Sequence, residues 1–159
     1  MKKIKVVTAN AETFKDFGTV IMKSSFEPDR VPGQFDWYGR LVDFDDIGSF
    51  TFNLMTVYNR KPLIEKFECH LKSKEIVIPI GGRGVIIPMA KPGPVDEDTI
   101  AAFYVPCDRA VVFDFGTWHF PPFPLDDSGF QVVRHQYLRH ASDVPEEPLH
   151  GHKKILHFL

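Results

Sequence analysis

The feature that most constrains this chain is the steady interruption of short β-forming runs by proline and glycine. Thirteen prolines and eleven glycines are spread along 159 residues. From Phe35 onward the runs Trp37–Phe44, Ser49–Tyr58, Ile64–His70, Glu75–Ile80, Gly84–Met89, Ile100–Val105, Ala110–Phe115 and Phe130–Leu138 are rich in β-branched and aromatic residues. The breaks between them are turn-forming: Asp45-Asp46, Arg60-Lys61-Pro62, Lys72-Ser73-Lys74, Gly81-Gly82, Pro92-Gly93-Pro94, Pro106 to Asp108 and Pro121 to Pro124. Short strands at such spacing predict an all-β sandwich or barrel, of the double-sheet jelly-roll kind. Fifteen phenylalanines supply a thick aromatic core for it.

Ahead of this region, Lys5–Val7 reads as a strand. Ala11–Phe17 is the best helix candidate, capped by Thr8 or Asn10, with Glu12 in its first turn and Gly18 as its stop. Thr19–Met22 then reads extended, and residues 26–35, with Pro28, Pro32 and Gly33, read as a loop. The tail after Ser142 is polar and rich in Pro, Glu and His. It is expected to be irregular or to pack on a partner subunit. The whole of 1–159 reads as one domain, a size that supports a sizeable core.

Bulk properties exclude several roles. The net charge of −2 and a pI near 6.4 give no basic surplus for nucleic acid or an anionic membrane. No apolar run approaches a transmembrane length, and the basic start MKKIKVV leads into polar Thr8, Asn10 and Glu12 rather than a signal-peptide core. Two cysteines, Cys69 and Cys107, are too few for a secreted disulfide scaffold. A cytoplasmic protein is the expectation.

Two separated clusters carry chemistry: Glu68-Cys69-His70 with Glu75, and Gly116-Thr117-Trp118-His119. Glu68 and His70 are two apart, so on a strand they face one side, and Cys69 faces the other as a small buried hydrophobe. A hairpin at Lys72-Ser73-Lys74 can return Glu75 to the same cavity, or Glu75 can be a strand-edge charge. His135, His140, His150, His152 and His157 have no spacing that links them to this set. Trp118 and Phe120 to Phe123 suit packing better than substrate stacking.

The spacing resembles the two cupin motifs, His-x-His followed by Glu and Gly, then Pro-x-Gly-x-x-His. His70, Glu75, Gly82, Gly116 and His119 match. Glu68 stands in place of the first His and Asp114 in place of the Pro. The resemblance implies a double-stranded β-helix with a divalent metal held by His70, Glu75 and His119. Imidazole and carboxylate donors suit Zn, Ni, Mn or Fe(II).

A narrower resemblance covers residues from about 5 to about 138. Phe14-Lys15-Asp16-Phe17-Gly18-Thr19-Val20-Ile21, Arg60, Glu68-Cys69-His70 with Ile78-Pro79-Ile80, Ala102-Phe103, and Gly116-Thr117-Trp118-His119 with Pro121 are similar, in order, to the ureidoglycolate lyases. The resemblance implies a dimeric enzyme of purine (allantoin) breakdown that splits ureidoglycolate into glyoxylate and urea. Carried over, Glu68, His70 and His119 are the catalytic candidates, with Glu68 either the acid/base or a fourth metal ligand. Arg60 is the candidate clamp for a substrate carboxylate, and Trp118 a further substrate contact. The chain departs from that family at Glu75, where Gln is common, and at Phe120, where a second His is usual. A metal cupin of another class, such as an isomerase or dioxygenase, and a non-enzymatic binding module are the alternative readings.

Overall fold

The protein is described by a computed structural model that defines residues 3–23, 27–39, 41–42, 51–81, 83–125, 130–136, 144–149 and 154–157. In chain order the elements are β1 (Lys3–Thr8), α1 (Ala11–Phe14), β2 (Gly18–Met22), β3 (Asp29–Val31), β4 (Phe35–Trp37), β5 (Thr51–Val57), β6 (Leu63–Ile64), β7 (Lys66–Glu68) and β8 (Glu75–Ile80). They continue with β9 (Val85–Ala90), β10 (Ala101–Val105), β11 (Arg109–Phe113), β12 (Trp118–His119), β13 (Phe123–Pro124), β14 (Phe130–Gln136), β15 (Glu146–Pro148) and β16 (Lys154–His157).

These strands form a cupin-like β-sandwich. A nine-stranded sheet runs β15-β7-β12-β9-β10-β1-β16-β6, with β13 also paired to β9. A five-stranded sheet runs β2-β11-β8-β14-β5, and β3 and β4 make a separate hairpin. Alternation along each strand decides what enters the space between the two large sheets. Val85, Ile87 and Met89 of β9 and Phe103 and Val105 of β10 meet Val20, Val57, Val77, Val111 and Phe113 from the smaller sheet. Phe14 and Phe17 close this core, with Phe14 edge-on to Phe103 at 4.9 Å between ring centroids. The alternate residues of the larger sheet, among them Ile86, Ala90, Ala102, Phe67 and Phe123, form a second cluster on its outer face. Strand β9 is therefore buried on both sides, which explains why Val85-Ile86-Ile87-Pro88-Met89-Ala90 shows no polar alternation.

Four expectations need correction. The helix ends at Phe14, not Phe17. Asn10 caps it, accepting from the amides of Glu12 and Thr13, while Thr13 Oγ1 accepts from the Asn10 amide. Beyond Phe14 the backbone turns, because the Phe17 carbonyl is taken by the Asp114 amide and the Thr117 hydroxyl. The segment read as a loop at 26–35 contains β3 and begins β4, paired in register from Asp29↔Trp37 to Val31↔Phe35. The run Ile64–His70 is split at Glu65, whose carbonyl accepts from the Leu149 amide. The tail expected to be irregular supplies two strands, β15 on β7 and β16 between β1 and β6. Gly82, residues 43–50 and the tail histidines His150 and His152 lie outside the described residues.

Candidate active site between the sheets

The site is built where the two sheets come together at one end of the sandwich. His119 of β12 is registered against Glu68 of β7 on one side and Met89 of β9 on the other. Met89 belongs to the inter-sheet core, so Glu68 and His119 point inward with it. Glu75, the first residue of β8, is registered against Phe113 in the smaller sheet. It shares the inward face with Val77, two residues on. His70 lies on the connection from β7 to β8. Each sheet thus contributes one carboxylate, and the crossover between them contributes an imidazole.

A turn ties the two sequence clusters together. Gly116 donates its amide to the His70 carbonyl at 2.8 Å, and Thr117 donates to the Asp114 carbonyl at 3.1 Å. Gly116 has φ of +73°, a left-handed conformation that disfavours any residue with a Cβ. That requirement accounts for the glycine three residues before His119.

The side chains converge. His70 Nε2 is 2.8 Å from Glu75 Oε2. His119 Nε2 is 3.6 Å from that same oxygen and 3.6 Å from Glu68 Oε1. The two imidazole centroids are 5.2 Å apart, and the His119 ring also rests 4.9 Å from that of Phe113. Glu75 is 1% exposed, His119 2% and His70 4%, so Glu75 is no strand-edge charge. A carboxylate buried to that degree is tolerated only beside compensating donors or cations.

His119 has a defined orientation. Its Nδ1 lies 3.1 Å from the Thr117 carbonyl, an acceptor only, so Nδ1 carries the proton. Nε2 is left with its lone pair facing the carboxylates, buried and with no hydrogen-bond partner among the described residues. An acceptor nitrogen set against carboxylate oxygens is a poor arrangement for a bare protein and a good one around a cation. The ligand atoms of Glu68, His70 and His119 all lie within 4.8 Å of one another and could hold a metal ion. Glu75 Oε2 is outside that set of three but lies 2.8 Å from His70 Nε2 and 3.6 Å from His119 Nε2. The residues present therefore fit a divalent cation.

Outside this centre, a cavity of about 550 Å³ opens onto it, lined by Glu68 and His119 together with Lys66, Phe120, Pro121 and Glu146. Of the four central residues, Glu68 is the most open, its side chain 29% exposed. Cys69 is buried, and its thiol is pushed up to about 11, by burial first and by the Glu68 charge second.

Neither of the two candidate substrate contacts lines the cavity itself, although Arg60 touches its wall at Pro121 and Phe120. Trp118 faces the opposite side of the larger sheet from His119, because neighbours on a strand alternate. It packs against the outer cluster and donates its indole N–H to the Gly93 carbonyl at 2.7 Å. Arg60 is not among the residues lining the cavity. Its guanidinium donates to the carbonyls of Pro121 and Pro122 at 2.8 and 2.9 Å and lies 4.1 Å from the centroid of Phe123. That geometry pins the segment that follows His119.

The sequence reading missed Thr117, whose carbonyl orients His119, and Lys66 and Glu146 in the cavity wall. Lys66 had a visible signal, being two residues from Glu68 on one strand. Glu146 had none, since nothing local pairs it with β7.

No curated protein sequence matches the chain significantly. A family model described as ureidoglycolate lyase matches residues 1–154, which is nearly the whole length. The chain belongs to the ureidoglycolate lyase family.

Proposed function

We propose that the lyase reaction of this family, cleavage of ureidoglycolate to glyoxylate and urea in purine catabolism, takes place where the 550 Å³ cavity meets Glu68 and His119. The observation that carries this reading is the inward-facing, unpartnered Nε2 of buried His119 set against two carboxylates. His70, Glu75 and His119 are assigned to hold a divalent metal, with Zn, Ni, Mn and Fe(II) all suited to such donors. When bound, that ion supplies positive charge for the substrate oxygens.

Glu68 is assigned as the acid/base because it is the most exposed of the four, at 29%. Its carboxylate takes the proton of the carbinol hydroxyl. The O–H bonding pair moves in to make the C=O bond, the C–N bond breaks, and its electron pair leaves with the urea nitrogen. That nitrogen receives the proton back from Glu68, so the carboxylate is regenerated. His119 stays in one tautomer throughout, since Thr117 fixes its Nδ1 proton. Phe120 and Pro121 form a wall that limits water around the reacting carbon.

Supporting this is the family membership, together with the two imidazoles and two carboxylates gathered at one buried point. A homodimer in the cytoplasm, acting on a carboxylate-bearing small molecule, is the form we assign, and light scattering measures the subunit number. The test is release of glyoxylate and urea by purified protein after loading with each of the four metals. Glu68→Gln should lower kcat by about 10²–10⁴-fold. Absence of turnover with every metal, or full activity in Glu68→Gln, refutes the assignment.

A further inference from the structure

The cavity that reaches Glu68 and His119 is lined by three carboxylates, Glu65, Glu68 and Glu146, and by one ammonium, Lys66, among the described residues. An anionic substrate entering such a wall is repelled unless a cation receives it. Lys66 and Glu68 are two residues apart on β7, so they share a face about 7 Å apart along the strand. Across the strand pair, Glu146 is registered against Glu68 and Pro148 against Lys66. Lys66 reaches diagonally to Glu146, Nζ to Oε1 at 2.6 Å. Both side chains are about half exposed, and ion pairs in that setting are easily exchanged.

We infer that Lys66 is the residue that anchors the substrate carboxylate, and that Glu146 occupies it until substrate arrives. The inference rests on the functional reading above and sharpens it. A small α-hydroxy acid with its hydroxyl at Glu68 extends its carboxylate toward Lys66 along β7. Lys66 then exchanges one carboxylate partner for another, and Glu146 turns to solvent. Arg60, committed to the Pro121 and Pro122 carbonyls, is not needed for this. Selectivity follows, because an analogue with a carboxamide in place of the carboxylate cannot displace Glu146.

Steady-state kinetics on the full-length, metal-loaded protein test this with Lys66→Met, Lys66→Arg and Glu146→Gln. Lys66→Met should raise KM for ureidoglycolate by about tenfold or more, the loss of one charge-assisted contact. Its kcat should change less, as for a contact made equally in ground and transition states. Lys66→Arg should restore most of the loss. Glu146→Gln should lower KM, because it removes the competing carboxylate. Opposite signs are the signature, since a pair that merely fastens β15 to β7 makes both variants worse alike. An unchanged KM in Lys66→Met, or an unchanged or raised KM in Glu146→Gln, overturns the proposal. Should Lys66→Met not fold, the sign of the Glu146→Gln effect decides alone. Failure of the parent protein to turn over ureidoglycolate sinks the functional reading itself, whereas an active parent with insensitive variants sinks only the role of Lys66.

Discussion

Thr117→Val isolates the bond that anchors the His119 turn. The Thr117 side chain is buried at 1% exposure, and its hydroxyl donates to the Phe17 carbonyl at 3.0 Å. Valine keeps the shape and loses only the donor. The acceptor is not orphaned, because the Asp114 amide still reaches the same carbonyl at 3.0 Å. The cost is therefore the net worth of one neutral hydrogen bond, about 1 kcal/mol, and not the larger penalty of a stranded buried acceptor. For a domain of this size that lowers Tm by about 2–4 °C. His119 is oriented by the Thr117 carbonyl rather than by its hydroxyl, so metal affinity should be unchanged. Thermal melts of apo protein and calorimetric titration with Zn or Mn provide the two readings. A Tm equal to that of the parent, or a drop beyond about 8 °C, refutes the assignment of the hydroxyl. A large loss of metal affinity with a normal Tm refutes the claim that the carbonyl alone orients the ring.

Two other outcomes follow from the same geometry. Gly18 has φ of +149°, and a Cβ there would sit 1.9 Å from the Val112 carbonyl oxygen. Gly18→Ala should therefore cost more than about 3 kcal/mol through strain and backbone clash, seen as a fall in Tm of about 10 °C, and a shift within 3 °C would contradict the packing described. Cys69, whose buried thiol is pushed up to about 11, should resist iodoacetamide at pH 7.5 in the folded protein, while exposed Cys107 reacts. Peptide mass spectrometry locates the label, and modification of Cys69 under native conditions counts against its burial.

Much of the architecture was legible because strands announce themselves by composition and breaks. The runs now seen as β5, β8, β9, β10, β11 and β14 all fall within or beside the segments read from the sequence. The site was legible because cupin spacing encodes a fold: Glu68 and His70, Glu75 and His119 do converge. What stayed hidden depended on partners distant in sequence. Trp118–His119 is too short to read as a strand, and it becomes one by pairing with β7 and β9. The polar segment Glu146–Pro148 carries no apolar pattern, and is extended because it pairs with β7. The helix looked longer because Lys15 and Asp16 suit one, yet the Phe17 carbonyl answers to Asp114 and Thr117. Trp118 and His119 share a motif but not a face, a distinction that adjacency in sequence conceals until strand alternation is applied.

The pairing of β15 with β7 joins segments 80 residues apart, and this has a consequence for the newborn chain. At synthesis rates of about 5–20 residues per second, Glu146 leaves the ribosome roughly 4–16 s after Lys66. In the part of that interval after His119 has emerged and paired with Glu68, β7 is an open sheet edge, the kind that recruits stray strands from neighbouring polypeptides. Lys66 and Glu68, charges on a three-residue strand, are the features that keep such an edge from sticking. The residues assigned here to receive and cleave substrate would thus serve the chain once already, as gatekeepers, before there is a pocket for substrate to enter.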